Sequence, residues 1–294
     1  MQLPQLLFTS RIQSQCLKRD GSRGGLCVYG MCAPSCDVLL LACGRNGLRA
    51  LSLRSEQVAP RAVCTFKTYR VAFDTRTTSL LLLVERTGAA TRASHWLLSL
   101  RFVANEWREV DCVATEIRDD SQVNGFAVCD SRALLASEMP HSLDLFEVSA
   151  DNRVRAVGAV VLANSTPFAD FACSRLDADF LVALAHYRQQ QMPPAVSLQR
   201  LLGRTLEPLA VVELTQPNRL LFFGNLLLVA ERYRDTNTQV VVSLLATAAG
   251  LTHQRQLLHC CCGRGVDVKQ WCVADDQLVV QHNPSSDILI YTFN

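Results

Sequence analysis

Glu85, Glu138, His186, Glu231 and His282 stand at intervals along the chain, each closing an apolar run such as Leu80-Leu81-Leu82-Leu83-Val84 or Leu226-Leu227-Leu228-Val229-Ala230. Carboxylates and imidazoles are divalent-metal ligands and acid–base groups, so a ring of them admits metal-assisted hydrolysis of the lactonase kind. That chemistry needs ligands converging to about 2.0 to 2.6 Å from one ion. Residues at the ends of separate strands do not converge by themselves, and a polar side chain is expected wherever a buried strand meets water. The preferred reading is therefore solvation, with no catalytic residue, metal or other cofactor. The metal set remains the alternative.

His259-Cys260-Cys261-Cys262 has ligand types but not ligand spacing. Neighbouring strand residues point to opposite faces, and no Cys-x-x-Cys pair has a matching second pair in the chain. Cys27, Cys32 and Cys36 fit no zinc pattern either. The sequence contains no phosphate-binding Gly-x-x-x-x-Gly-Lys-Ser/Thr, no Gly-x-Gly-x-x-Gly, no Gly-x-Ser-x-Gly and no His-Glu-x-x-His. These absences favour a non-enzymatic protein, although an enzyme can assemble its site from dispersed residues that no local motif reports.

A second set combines arginine with tyrosine: Tyr69, Arg70, Arg86, Tyr187, Arg188, Arg232, Tyr233 and Arg234. Both types make interface anchors, because each joins hydrogen bonding to broad contact area. They point to a protein or acidic-peptide partner, with a nucleic-acid backbone as the weaker candidate. Net charge of +2 and a pI near 8.0 are too mild to decide the partner by bulk electrostatics. Gln189-Gln190-Gln191, followed by Pro193-Pro194, reads as a protruding loop beside His186 and Tyr187.

The elements that must position these residues repeat. Leu51-Ser52-Leu53, Leu98-Ser99-Leu100, Val196-Ser197-Leu198 and Val242-Ser243-Leu244 share one form, and Leu143-Asp144-Leu145 and Ile288-Leu289-Ile290 fill the remaining places. Their first residues lie 47, 45, 53, 46 and 46 positions apart. Around each phrase, four apolar runs are separated by Asp, Asn, Gly and Ser, the pattern of buried strands joined by turns. Four strands per ~40–50 residues predict a propeller blade.

The expected blades span about 24–66, 67–115, 122–162, 167–214, 218–260 and 265–294. The first is read with strands over Leu26 to Cys32 and Val58 to Phe66, and with Gly44-Arg45-Asn46-Gly47 as a hairpin turn. The sixth lacks an outer strand, which Leu3 to Ser10 supplies. The expected architecture is a single all-β domain over 1–294: six four-stranded antiparallel blades, closed by pairing the N-terminal strand with the C-terminal blade. Two competing expectations are a transit peptide built on Arg11, Lys18, Arg19 and Arg23, and an amphipathic helix over Trp96 to Trp107.

This pattern resembles the WD40-like β-propellers, in which an apolar third strand recurs at a similar period. The resemblance covers nearly the whole chain through spacing and apolar pattern, without the family's Trp-Asp and Gly-His dipeptides. It implies an interaction scaffold or complex subunit.

Thirteen cysteines, set mostly inside apolar runs, read as reduced thiols acting as small hydrophobes. With no secretory signal visible at Met1 to Ser10, the expected location is cytoplasmic or nuclear. No run reaches the ~20 apolar residues a bilayer requires, so no membrane partner is expected.

Overall fold

The computed structural model of the protein describes residues 6–13, 27–54, 61–86, 95–117, 123–137, 142–162, 168–186, 193–232, 239–247, 250–259, 267–283 and 287–293. All regular structure among them is β-strand, and the fold is a six-bladed β-propeller of four-stranded antiparallel sheets. Blade 1 comprises β2 (Gly30–Ser35), β3 (Val38–Ala42), β4 (Leu48–Ser52) and β5 (Arg61–Cys64), and blade 2 comprises β6 (Lys67–Asp74), β7 (Ser79–Glu85), β8 (His95–Val103) and β9 (Glu106–Ala114). Blade 3 holds β10 (Val123–Cys129), β11 (Arg132–Ser137), β12 (Ser142–Val148) and β13 (Val154–Val161). Blade 4 holds β14 (Phe168–Leu176), β15 (Asp179–His186), β16 (Ala195–Leu202) and β17 (Thr205–Glu213). Blade 5 is β18 (Pro217–Phe223), β19 (Leu226–Arg232), β20 (Gln239–Thr247) and β21 (Gly250–His259). Blade 6 joins β22 (Asp267–Ala274), β23 (Gln277–Asn283) and β24 (Ile288–Phe293) to β1 (Leu6–Ile12) from the other end of the chain.

The expected closure is present. β1 runs antiparallel to β24, from Leu6 opposite Phe293 to Ile12 opposite Ile288, with a bulge between Phe8 and Ser10. Arg11 makes an ion pair with the buried Asp287 through Nη2 and a second hydrogen bond through Nε at 3.0 Å. Residues 6–12 thus serve as a strand of the sheet, and Lys18, Arg19 and Arg23 of the transit-peptide expectation lie outside the described residues.

Two local expectations need correction. In blade 1 the first strand begins at Gly30 and runs to Ser35, because the tight turn at Cys36 and Asp37 pairs Ser35 with Val38 and extends the ladder past Cys32. The described part of its fourth strand is confined to Arg61–Cys64. The helical reading of Trp96 to Trp107 also fails. Those residues form a hairpin in which Phe102 opposes Trp107, turning at Ala104 and Asn105 with φ of 51° and 66°.

Two compact units divide the chain. The first contains blades 6, 1 and 2 together with residues 148–155. Its apolar residues alternate between two packings: Leu39 and Leu41 of β3 meet Cys272, Val279 and Ile290 of blade 6, while Leu40 and Ala42 meet Leu80, Leu82 and Val84 of blade 2. Burial on both faces explains why these strands read as unbroken apolar runs rather than alternating ones. In the second unit, Leu181, Ala183 and Ala185 of β15 pack toward blade 5, and Val182 and Leu184 toward blade 3. The outer strands of blades 3 and 4 also touch, through a parallel bridge between Val161 and Thr205.

The serine-centred phrases all lie in third strands or their immediate ends, yet they do not occupy one equivalent position. Leu98 and Leu100 face blade 1, and Leu51 faces blade 6. Val196 and Leu198 face blade 5, whereas Val242 and Leu244 face back toward blade 4. A slip of one residue inverts the faces of a strand. The phrase therefore repeats as a type of residue pattern, not as a fixed register. Ser99 and Ser243 are fully buried all the same, their small side chains fitting a packed face.

Candidate functional site

Blade 2 shows how the sequence assembles one corner of the expected site. Lys67 and Tyr69 lie near the start of β6, and antiparallel pairing puts Lys67 opposite Glu85. Tyr69 donates its hydroxyl to Glu85 Oε2 at 2.8 Å, and Lys67 forms an ion pair with the same oxygen. The tyrosine ring stacks near His95 at 5.1 Å and meets Tyr29 edge-on at 6.0 Å, with the Lys67 ammonium 5.0 Å from its centroid. Glu85 is thus an internal acceptor. Tyr69 is only 4% exposed, so it is not an accessible anchor, and its contribution is to hold Glu85 and the neighbouring rings.

The two candidate arginines of this blade, Arg70 and Arg86, lie nearer solvent. Arg70 donates to the carbonyls of Tyr29 and Tyr69, fastening the start of β2 to β6. Arg86 pairs with Glu109 and lies 5.4 Å from the Phe66 ring and 5.9 Å from the Trp96 ring. Aromatic rings hold a guanidinium at a fixed height, and a fixed cation loses less entropy on meeting a ligand.

Glu231 and His186 are likewise engaged locally. Glu231 is buried and accepts the Thr215 amide at 2.7 Å. His186 shares a 2.7 Å hydrogen bond between Nε2 and Ser197 Oγ, which also accepts the Gln199 amide at 3.2 Å. None of these bonds joins one member of the expected ring to another. Among the described residues no group of three or more His, Cys, Asp or Glu is placed to hold a metal ion. His282 and Arg232 lie on β23 and β19, with only their backbone described. Glu138, Tyr187, Arg188, Tyr233, Arg234, the Gln189 loop and Cys260 to Cys262 lie outside the described residues.

Burial lowers the pKa of His186 from its ordinary value of 6.5. The neutral ring is favoured in the folded chain, so between 6.5 and the lowered value the unfolded chain binds more protons. Stability is therefore complete above about 6.5 and falls as pH drops through that window. His186→Gln is expected to flatten this part of a urea-denaturation series taken from pH 7.5 to 5, and an unchanged slope would show that another group titrates there.

The described cysteines are all free thiols. Burial pushes the Cys43 thiol up to about 12 and raises Cys32 and Cys272 as well, so these three pack as apolar groups. Among the described residues no helix is long and apolar enough to cross a membrane.

No protein-family model matches the chain, and no curated protein matches it. Solved structures do. The WD40 domain of Toxoplasma gondii coronin is 12% identical over 92% of this chain and 70% of that one, with a TM-score of 0.58. U3-55K is 11% identical over 94% and 97% of the two chains, with a TM-score of 0.55. A glucose dehydrogenase is 10% identical over 98% and 99%, with a TM-score of 0.57. At these identities the likeness is one of fold, and the neighbours include both an enzyme and a WD40 domain. The chain is therefore a divergent β-propeller that resembles WD40 domains in architecture, without the sequence marks of any one family.

Proposed function

We propose that this chain is a non-enzymatic interaction scaffold that binds a protein partner through basic and aromatic loops at its strand ends. The observation that carries the reading is Arg86, just after β7, whose guanidinium lies 5.4 Å from the Phe66 ring and 5.9 Å from the Trp96 ring. Arg70, Tyr187, Arg188, Arg232, Tyr233 and Arg234 complete the proposed contact set, with Tyr69 acting from beneath as a positioning residue. The use of Glu85 and Glu231 as acceptors inside the structure favours this reading over metal-assisted hydrolysis. Buried thiols with raised pKa suit a reducing compartment, and we place the protein in the cytoplasm or nucleus.

The test is capture from native cells followed by mass spectrometry, with wild type compared to the triple variant Arg188→Glu, Arg232→Glu, Arg234→Glu. The expected result is a reproducible partner lost from the variant while its circular dichroism and melting curve stay unchanged. Equal capture by both proteins would remove this surface from the proposal.

A further inference from the structure

A strip across blades 1 and 2 combines exposed aromatic rings with arginines. Tyr29 is 42% exposed and Phe66 37% exposed, high values for large apolar rings. They are joined by the turn Gly44-Arg45-Asn46-Gly47. Gly44 exchanges backbone hydrogen bonds with Thr68, and a methyl group on Gly44 would lie 2.8 Å from the Tyr29 ring. At the other end of the turn, Gly47 sits against the backbone of Cys64 and Thr65, next to Phe66. The segments that carry the two rings therefore lie against the two ends of one tight hairpin turn.

Charge along this strip is one-sided. Arg45 is exposed at the tip of the turn, Arg49 is braced by the carbonyl of Asn46 at 3.1 Å, and Arg70 is tied to the carbonyl of Tyr29. No Asp or Glu lies among residues 27–30, 44–49 and 65–70, and the flanking carboxylates Glu85 and Glu109 are matched to Lys67 and Arg86. Exposed rings beside fixed arginines suit a ligand that offers carboxylates and an apolar side chain together.

We infer that the Tyr29–Arg45–Phe66 strip is the docking site for an acidic peptide segment bearing an aromatic residue. The inference rests on the scaffold reading and names where, and for what chemistry, blades 1 and 2 contribute. Arg45 and Arg70 meet the carboxylates, and the peptide's aromatic side chain lies between Tyr29 and Phe66.

The probe is a fluorescein-labelled Glu-rich peptide with one tryptophan, followed by anisotropy against the full chain. Arg45→Glu with Arg70→Glu is expected to weaken binding about tenfold or more, equivalent to ~1.4 kcal/mol. Tyr29→Ala with Phe66→Ala is expected to weaken the tryptophan peptide but not a version with alanine in its place. A Lys-rich peptide should gain affinity for the charge-reversed variant, an effect that mere structural damage does not produce. Equal binding of the acidic peptide to wild type and both variants overturns the strip. So does preferential binding of a single-stranded oligonucleotide of the same charge. If peptide binding survives in the strip variants but is lost from the Arg188, Arg232 and Arg234 variant, the strip is wrong and the scaffold reading stands. If no peptide binds and no partner is captured, both fall.

Discussion

Removing residues 1–12 is expected to make the protein aggregate, read as a shift toward the void volume on size-exclusion chromatography relative to the full chain. The deletion strips β1 from β24 and leaves the edge Ile288–Phe293 without its partner. An exposed apolar strand edge is a template for pairing with other chains. It also removes Ile12, which is 1% exposed and packs with Val279, Ile288 and Ile290. Point variants separate the contributions. Ile12→Ala is expected to cost about 2 to 5 kcal/mol in urea denaturation, the range for a large side chain lost from a core. Arg11→Ala should cost about 2 kcal/mol, since hydrogen bonds to charged groups contribute ~1.5–3 kcal/mol. The figure stays below that for a fully buried pair because Arg11 is 56% exposed, although Asp287 is only 5% exposed. If the deleted protein kept wild-type stability and dispersity, β1 would not be the closing strand.

Gly47→Ala is the second large effect. Gly47 has φ of +73°, and a methyl group there would stand 2.1 Å from the Cys64 carbonyl oxygen. The obstacle is backbone, so it cannot swing aside. Left-handed geometry costs a non-glycine residue ~1–2 kcal/mol, and forced displacement adds ~1–3 kcal/mol. A loss of about 2 to 5 kcal/mol is expected in urea denaturation from the two combined. Gly203→Ala provides the comparison. Its φ is +62° but nothing lies within 4 Å of the added methyl, so only the left-handed contribution, about 1 to 2 kcal/mol, applies. Equal losses at the two positions would mean that the turn at Gly47 yields more easily than its packing implies.

The Gly44–Gly47 turn is legible in the amino-acid sequence because glycine at both ends of a short polar break permits positive φ. Aspartates at the other turns are legible for a related reason, and Asp130, Asp177 and Asp275 do adopt φ of 49°, 55° and 51°. Tyr69 is not legible in the same way. Its spacing places it at the start of a strand, as β6 shows, but as part of a Lys-Thr-Tyr-Arg string it reads as accessible, whereas it turns inward to reach Glu85, 16 residues later. Tyr29 and Phe66 carry no signal as a pair, because nothing local relates two rings separated by β2, β3, β4 and β5.

Residue types and their spacing suffice to establish that the chain makes short strands in groups of four, six times over, and that its two ends belong to one sheet. Those properties follow from runs of apolar residues long enough to bury both faces of a strand, and such runs are local. Which face each run turns to which neighbour is settled in three dimensions alone. Val196 and Val242 begin the same phrase and yet pack toward each other's blades from opposite directions. Register makes that difference, since a shift of one residue reverses every side chain in a strand. Register also brings Glu85 to Tyr69 and Arg11 to Asp287, contacts between residues whose separation in the chain leaves no periodic trace.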